Sequence, residues 1–159
     1  MPHGRAKTPG PPAGTRDGDW WNQHADAFDD EQRAKNDEAT ERQRQAFAKA
    51  VRAGVRIGFG TDAGGFPHGL RARQLGTMCD LGMSPLQALR AATLTSAECT
   101  GWQDRVGSIA PGKYADLIAV PGDPQDPASF TDVRFVMKGG AVVRDDLTAE
   151  RATGPADRP

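Results

Sequence analysis

The chain has no surplus of charge, no long apolar run, hardly any cysteine and few histidines, and each scarcity removes a class of function. Against 20 Lys and Arg stand 21 Asp and Glu, a formal net charge of −1. No basic face of the kind that attracts phosphate backbones emerges, so nucleic acid is not an expected partner. No apolar run approaches the roughly 20 residues that cross a bilayer, and the first residues lack the apolar core of a secretory signal. The expectation is a cytoplasmic protein with no membrane partner. The two cysteines, Cys79 and Cys99, have neither metal-type nor redox-type spacing and read as small core residues or free thiols. The histidines are His3, His24 and His68, and no two of them form a His-x-His pair.

What is present divides the chain into four stretches. Met1 to Gly18 holds four prolines and four glycines with almost nothing apolar. Such a composition cannot bury enough surface to offset the entropy of ordering, and a flexible tail is expected over residues 1–28. From Asp29 to Ala53 the sequence is dense in Glu, Gln, Arg, Lys and Ala, with Phe47, Ala50 and Val51 as a narrow apolar stripe near its end. This predicts an amphipathic helix with a largely solvated face, and Gly54 can end it in a left-handed conformation. Leu70, Leu75, Met78 and Leu81 recur at helical spacing up to Gly82. Ser84-Pro85 then restarts a helix, Ser as N-cap and Pro at the first helical position, with Leu86, Leu89, Ala92 and Ala97 as its buried stripe and Gly101 as its close. From Ser108 the period changes. Leu117 to Val120 reads as a short strand, and Val133 to Val143 as a hairpin turning at Gly139-Gly140, a pair suited to the positive φ of a type I′ turn. After about Leu147 the sequence returns to a polar tail.

The chemistry concentrates between Val55 and Gly69, in VRIGFGTDAGGFPHG. Val55, Ile57 and Phe59 alternate with Arg56, Gly58 and Gly60, the period of a strand, and the glycines allow close approach of other backbone or a ligand. Asp62 follows that strand in a glycine-rich loop. A carboxylate there can ligate a metal or move a proton; equally, it can cap the next helix or fold an Asx turn. His68, in the same loop, is a candidate substrate contact or a surface histidine without a role. Arg71 and Arg73 could bind a substrate carboxylate, or be solvated at a helix start. Thr61, Gly64 and Gly65 shape the loop.

Gly60-Thr61-Asp62-Ala63-Gly64 with Pro67-His68-Gly69 resembles the end of the eighth barrel strand in metal-dependent amidohydrolases, in particular their imidazolonepropionase-like and prolidase-like branch. Val106 to Val120, VGSIAPGKYADLIAV, resembles the return of that family's chain from its barrel into a small β-sandwich. The two motifs stand in the family's order and together cover Glu41 to Arg144. The resemblance implies an α/β fold: the C-terminal portion of a (β/α)8 TIM-type barrel, its last strand and helices over residues 29–104, followed by β-sandwich return strands over residues 105–146 and a polar tail over residues 147–159. It implies hydrolysis of carbon–nitrogen bonds in small amide or dipeptide-like substrates. A divalent metal, expected to be zinc, is ligated by Asp62, which also accepts a proton from the attacking water and returns it to the leaving nitrogen. It also implies that Asp116 lies far from the chemistry and hydrogen-bonds locally.

Such a barrel takes about 250 residues, and this chain of 159 offers one convincing barrel strand. The family's His-x-His on the first strand, its bridging ligand on the fourth and its histidines on the fifth and sixth have no counterparts here. Catalytic zinc is held by three protein ligands with one position open, so a single carboxylate does not hold it tightly. The expectation is a fragment that is inert alone. The competing expectation is a non-catalytic remnant that associates with a partner chain through open sheet edges, since three strands are few for an independent sandwich. An unrelated small α/β binding domain would require both motifs to be coincidence.

Overall fold

The computed structural model describes residues 29–62 and 71–148. The tail expected over residues 1–28, the loop carrying Gly64, Gly65 and His68, Leu70, and residues from 149 onward lie outside the described residues, as do His3 and His24.

Helix α1, Asp30–Arg52, begins where side chains satisfy its free N-terminal groups. Asp29 Oδ1 accepts the Gln32 N–H at 2.8 Å and Gln32 Oε1 accepts the Asp29 N–H at 3.3 Å, a reciprocal capping box. On its exposed side Lys35–Glu31 at 2.7 Å and Arg42–Glu38 at 2.6 Å are paired one turn apart, each worth a few tenths of a kcal/mol. The sheltered side runs Arg33, Asn36, Thr40, Arg44, Phe47, Val51, at spacings of three and four. Only its last turn is apolar, so the sequence pattern shows this face at Phe47 and Val51 and hides the rest. Gly54, at φ 68°, ends the helix, and the Val55 N–H returns to the Ala50 carbonyl at 3.0 Å.

Residues 55–60 run extended but form no strand, which corrects the sequence expectation. A strand exists only through the N–H and C=O groups of a neighbour, and no described segment pairs with this one as a ladder. The period of two nevertheless survives in the packing. Ile57 and Phe59 turn inward against the core, and Val55 is exposed.

Helix α2, Arg73–Asp80, and helix α3, Pro85–Arg90, follow. Ser84 and Gln87 form the second capping box, with Pro85 at the first helical position where its missing N–H costs nothing. The single helix expected up to Gly101 is interrupted. Ala91–Thr95 is a π-helical stretch, and helix α4, Ser96–Cys99, completes the run. Leu86, expected inside, is 54% exposed, whereas Ala88 and Ala91 are buried. Residues two apart lie on nearly opposite sides of a helix, so once Ala88 faces inward Leu86 faces water.

The core is small: Leu75, Met78, Ala88 and Ala91, with Phe47, Ile57, Phe59, Met83 and Phe130 packed against them. Alanines at its centre let α3 and the π stretch approach closely. Phe130 arrives from the short 3₁₀ helix Pro127–Thr131, which lies against α2. Strands β1, Leu117–Ala119, β2, Phe135–Lys138, and β3, Ala141–Asp145, form an antiparallel sheet in that order. Gly139 and Gly140 have φ of 56° and 84°, the two positive values a type I′ turn requires. Val136 pairs with Arg144 and Met137 with Val142, so Val143 is the extra residue of a bulge on β3. Among the described residues no helix is long and apolar enough to cross a membrane.

Candidate active site

The segment that carries Asp62 is held by three successive ties to one side of the α3–α4 run. Arg56 and Glu98 form an ion pair. Gly58 passes so near that a β-carbon there would lie 3.4 Å from Cys99 Sγ and 3.6 Å from Ser96 Oγ. At Phe59 the tie is made by hydrogen bonds to the backbone. Its N–H is shared between Ser96 Oγ at 2.9 Å and the Ala91 carbonyl at 3.2 Å, and Ser96 Oγ–H donates to that carbonyl at 2.7 Å. The Ala91 carbonyl belongs to the π stretch, where the helical ladder is irregular and backbone groups are open to outside partners.

Beyond this clamp come Gly60, half-buried Thr61 and exposed Asp62. Asp62 has φ 45° and is the one non-glycine residue with positive φ among the described residues. Aspartate enters this region more readily than most residues because its short polar side chain can bond locally, but the conformation still costs of order 1 kcal/mol. Asp62 stands exposed at the end of the extended segment.

The other candidates fall as follows. His68 lies outside the described residues. Arg71 is half-buried, and Arg73, the first residue of α2, is exposed. Cys79 and Cys99 are free thiols; burial, and secondarily the charge of Asp80, raises the pKa of Cys79. Asp116 bonds Lys138 Nζ and the Gly139 N–H, the local role expected of it. Sequence reading missed Ser96 altogether, because a serine inside an alanine-rich helical run carries no periodic signal.

A carboxylate is a suitable donor for a divalent ion, but among the described residues no group of three His, Cys, Asp or Glu side chains converges to hold one. A single carboxylate such as Asp62 is too few to retain a metal unaided.

Comparison with known proteins agrees with the motifs. The family described as "Amidohydrolase family" matches residues 17–143. An adenine deaminase of Cereibacter sphaeroides is 40% identical over 86 residues, 54% of this chain and 14% of that protein. An imidazolonepropionase of Geobacillus kaustophilus is 34% identical over 105 residues, 62% of this chain and 25% of that protein. Among solved structures, a Xaa-Pro dipeptidase with bound methionine in the active site superposes with a TM-score of 0.74 at 33% identity, covering 81% of this chain and 32% of that one. The chain thus spans about a third or less of the length of these relatives.

Proposed function

The chain belongs to the amidohydrolase family, and from that premise we propose that it is the C-terminal portion of a metal-dependent hydrolase acting on carbon–nitrogen bonds, inactive by itself. The observation that carries this proposal is Asp62: a solvent-facing carboxylate at a left-handed turn, at the end of a clamped extended segment, inside the motif that resembles the eighth barrel strand. The names of its relatives, a deaminase, an imidazolonepropionase and a dipeptidase, support a small amide or dipeptide-like substrate.

In this proposal residues 29–104 are the helices and last-strand segment of an incomplete barrel, residues 55–60 becoming a strand only where a neighbouring strand is supplied, and residues 105–146 are strands of a small β-sandwich. Asp62 contributes one ligand to a divalent metal, zinc by expectation, whose remaining ligands are not found among the described residues. A bound divalent ion supplies acidification of water. Asp62 holds the water's proton on its carboxylate and releases it to the departing nitrogen, as a weak base beside the reacting centre can. His68 contacts the substrate, and the enzyme works in the cytoplasm.

The decisive experiment is the intact mass of the native protein in its source cells, combined with turnover assays on the purified 159-residue chain. A mass well above 16.9 kDa supports membership of a larger enzyme. Zinc-dependent hydrolysis of an amide, lactam or dipeptide by the isolated chain would overturn the claim of inactivity.

A second reading, a non-catalytic module that docks onto a partner chain, is favoured by the sheet. Every residue of β3 is exposed, and among the described residues no strand covers its outer edge or that of β1. A native mass matching the sequence together with a defined hetero-oligomer would support it.

A further inference from the structure

We propose that Ser96, seated at the end of the π-helical stretch, is a positioning residue that sets where the Asp62 carboxylate stands. This rests on the reading of Asp62 as the catalytic carboxylate. The need for such a device is visible in the chain. Asp62 is separated from the core by Gly60 and Thr61, and Phe59 is flanked by Gly58 and Gly60, the residues with the widest backbone freedom. Without a lateral partner strand among the described residues, residues 57–62 have few other means of being fixed.

Ser96 supplies the fixing by using its hydroxyl both as an acceptor and as a donor. It accepts the Phe59 N–H at 2.9 Å and gives its own proton to the Ala91 carbonyl at 2.7 Å. That carbonyl also receives the Phe59 N–H at 3.2 Å, closing a triangle of three groups from two segments. The Phe59 carbonyl lies 3.3 Å from the same oxygen, so both backbone groups of Phe59 are within its reach. The Phe59 side chain is meanwhile packed against the core cluster formed by Leu75, Met78, Ala88 and Ala91. Backbone and side chain of one residue are therefore both held, three positions before Asp62. Both groups belong to the π stretch or its end, and both meet the same neighbour, the Phe59 N–H.

The test is amide hydrogen exchange and carbon-13 NMR of the Asp62 carboxyl on the full chain, in wild type, Ser96→Ala and Ser96→Thr. Removing the hydroxyl is expected to speed exchange at the Phe59 amide by up to about tenfold, the worth of one hydrogen bond. The Phe47 amide in α1 should keep its protection, and the Asp62 carboxyl resonance should shift or broaden. Ser96→Thr should restore both signals. Unprotected Phe59 in wild type, unchanged exchange in Ser96→Ala, a uniform rise that includes Phe47, or an unmoved Asp62 resonance would each overturn the proposal. None of these readouts uses turnover. The reading of Asp62 as a metal ligand is checked separately, by the bound-metal content of a complete enzyme containing this chain, in wild type and Asp62→Asn. Equal metal content in the two would remove the ligand role and leave the clamp to be judged on exchange alone.

Discussion

Asp116, just ahead of β1, accepts the backbone N–H of Gly139 at 2.7 Å across 23 positions of sequence, so the carboxylate pins the tip of the β2–β3 hairpin to the sheet's first strand. The Gly140 N–H, bonded to the Ala115 carbonyl at 3.0 Å, doubles the attachment. The side-chain hydrogen bond from Lys138, and then the Gly139 N–H, hold the Asp116 carboxyl below its ordinary pKa.

The consequence is a pH dependence of known sign. A carboxylate whose folded pKa is depressed stabilises the fold fully above its unfolded value and loses that contribution as pH falls through the folded value. Wild type is expected to lose stability on acidification below about pH 4, the ordinary carboxylate range. Asp116→Asn should lack that component of the decline. Urea melts of both proteins at neutral and acid pH measure it, and parallel declines would refute the assignment.

Gly107 meets the α-helical run with no room to spare. At φ 90°, a β-carbon there would sit 2.7 Å from Ala97 Cβ and 3.0 Å from the Thr93 carbonyl oxygen. Gly107→Ala should therefore cost about 2–4 kcal/mol, overpacking added to backbone strain. Gly112 has φ 85° and nothing within 4 Å, so Gly112→Ala should cost only the backbone part, about 1 kcal/mol. Equal losses in the two variants, by thermal or chemical melting, would show that packing at Gly107 contributes nothing.

The two thiols should separate cleanly in alkylation. Cys99 is exposed, and Cys79 is half-buried with its pKa raised by burial and by Asp80. Iodoacetamide at mildly alkaline pH is expected to label Cys99 first, with Cys79 following slowly and only as pH rises further, because the thiolate is the reacting species. Peptide mass mapping over time reads the order directly.

At Asp62 the backbone and the chemistry can be tested apart. Asn tolerates a left-handed conformation, so Asp62→Asn should keep the fold, whereas Asp62→Ala should destabilise it by about 1 kcal/mol. In a complete enzyme containing this chain, Asp62→Asn should lower kcat by about 100- to 10,000-fold, the usual worth of a proton-transfer group. An active Asp62→Asn enzyme would remove Asp62 from the mechanism.

The features that could be read directly from sequence are those whose chemistry closes within a few residues. The start of α1 at Asp29, the Ser84-Pro85 cap, the helix end at Gly54 and the Gly139-Gly140 turn each depend on a local hydrogen bond or on permitted φ, and the structure has all of them. The Asp62 motif was legible for the same reason: a carboxylate in a glycine-rich run is a local pattern, and with the second motif it marked the family that comparison confirms.

Tertiary structure decided what depends on partners distant in sequence. Residues 55–60 have the alternation of a strand, yet strand identity requires another segment's backbone, which no periodicity can supply. Whether Leu86 or Ala88 faces inward depended on what lay against α3, and the interruption at Ala91–Thr95 has no periodic sign in the sequence. The hydrogen bond from Phe59 to Ser96 spans 37 positions and involves a residue with no periodic signature. The sequence thus determined which carboxylate stands in the family motif; packing of the extended segment on the α3–α4 run determined how its approach is held, because hydrogen bonds between groups distant in sequence form only once the chain has folded.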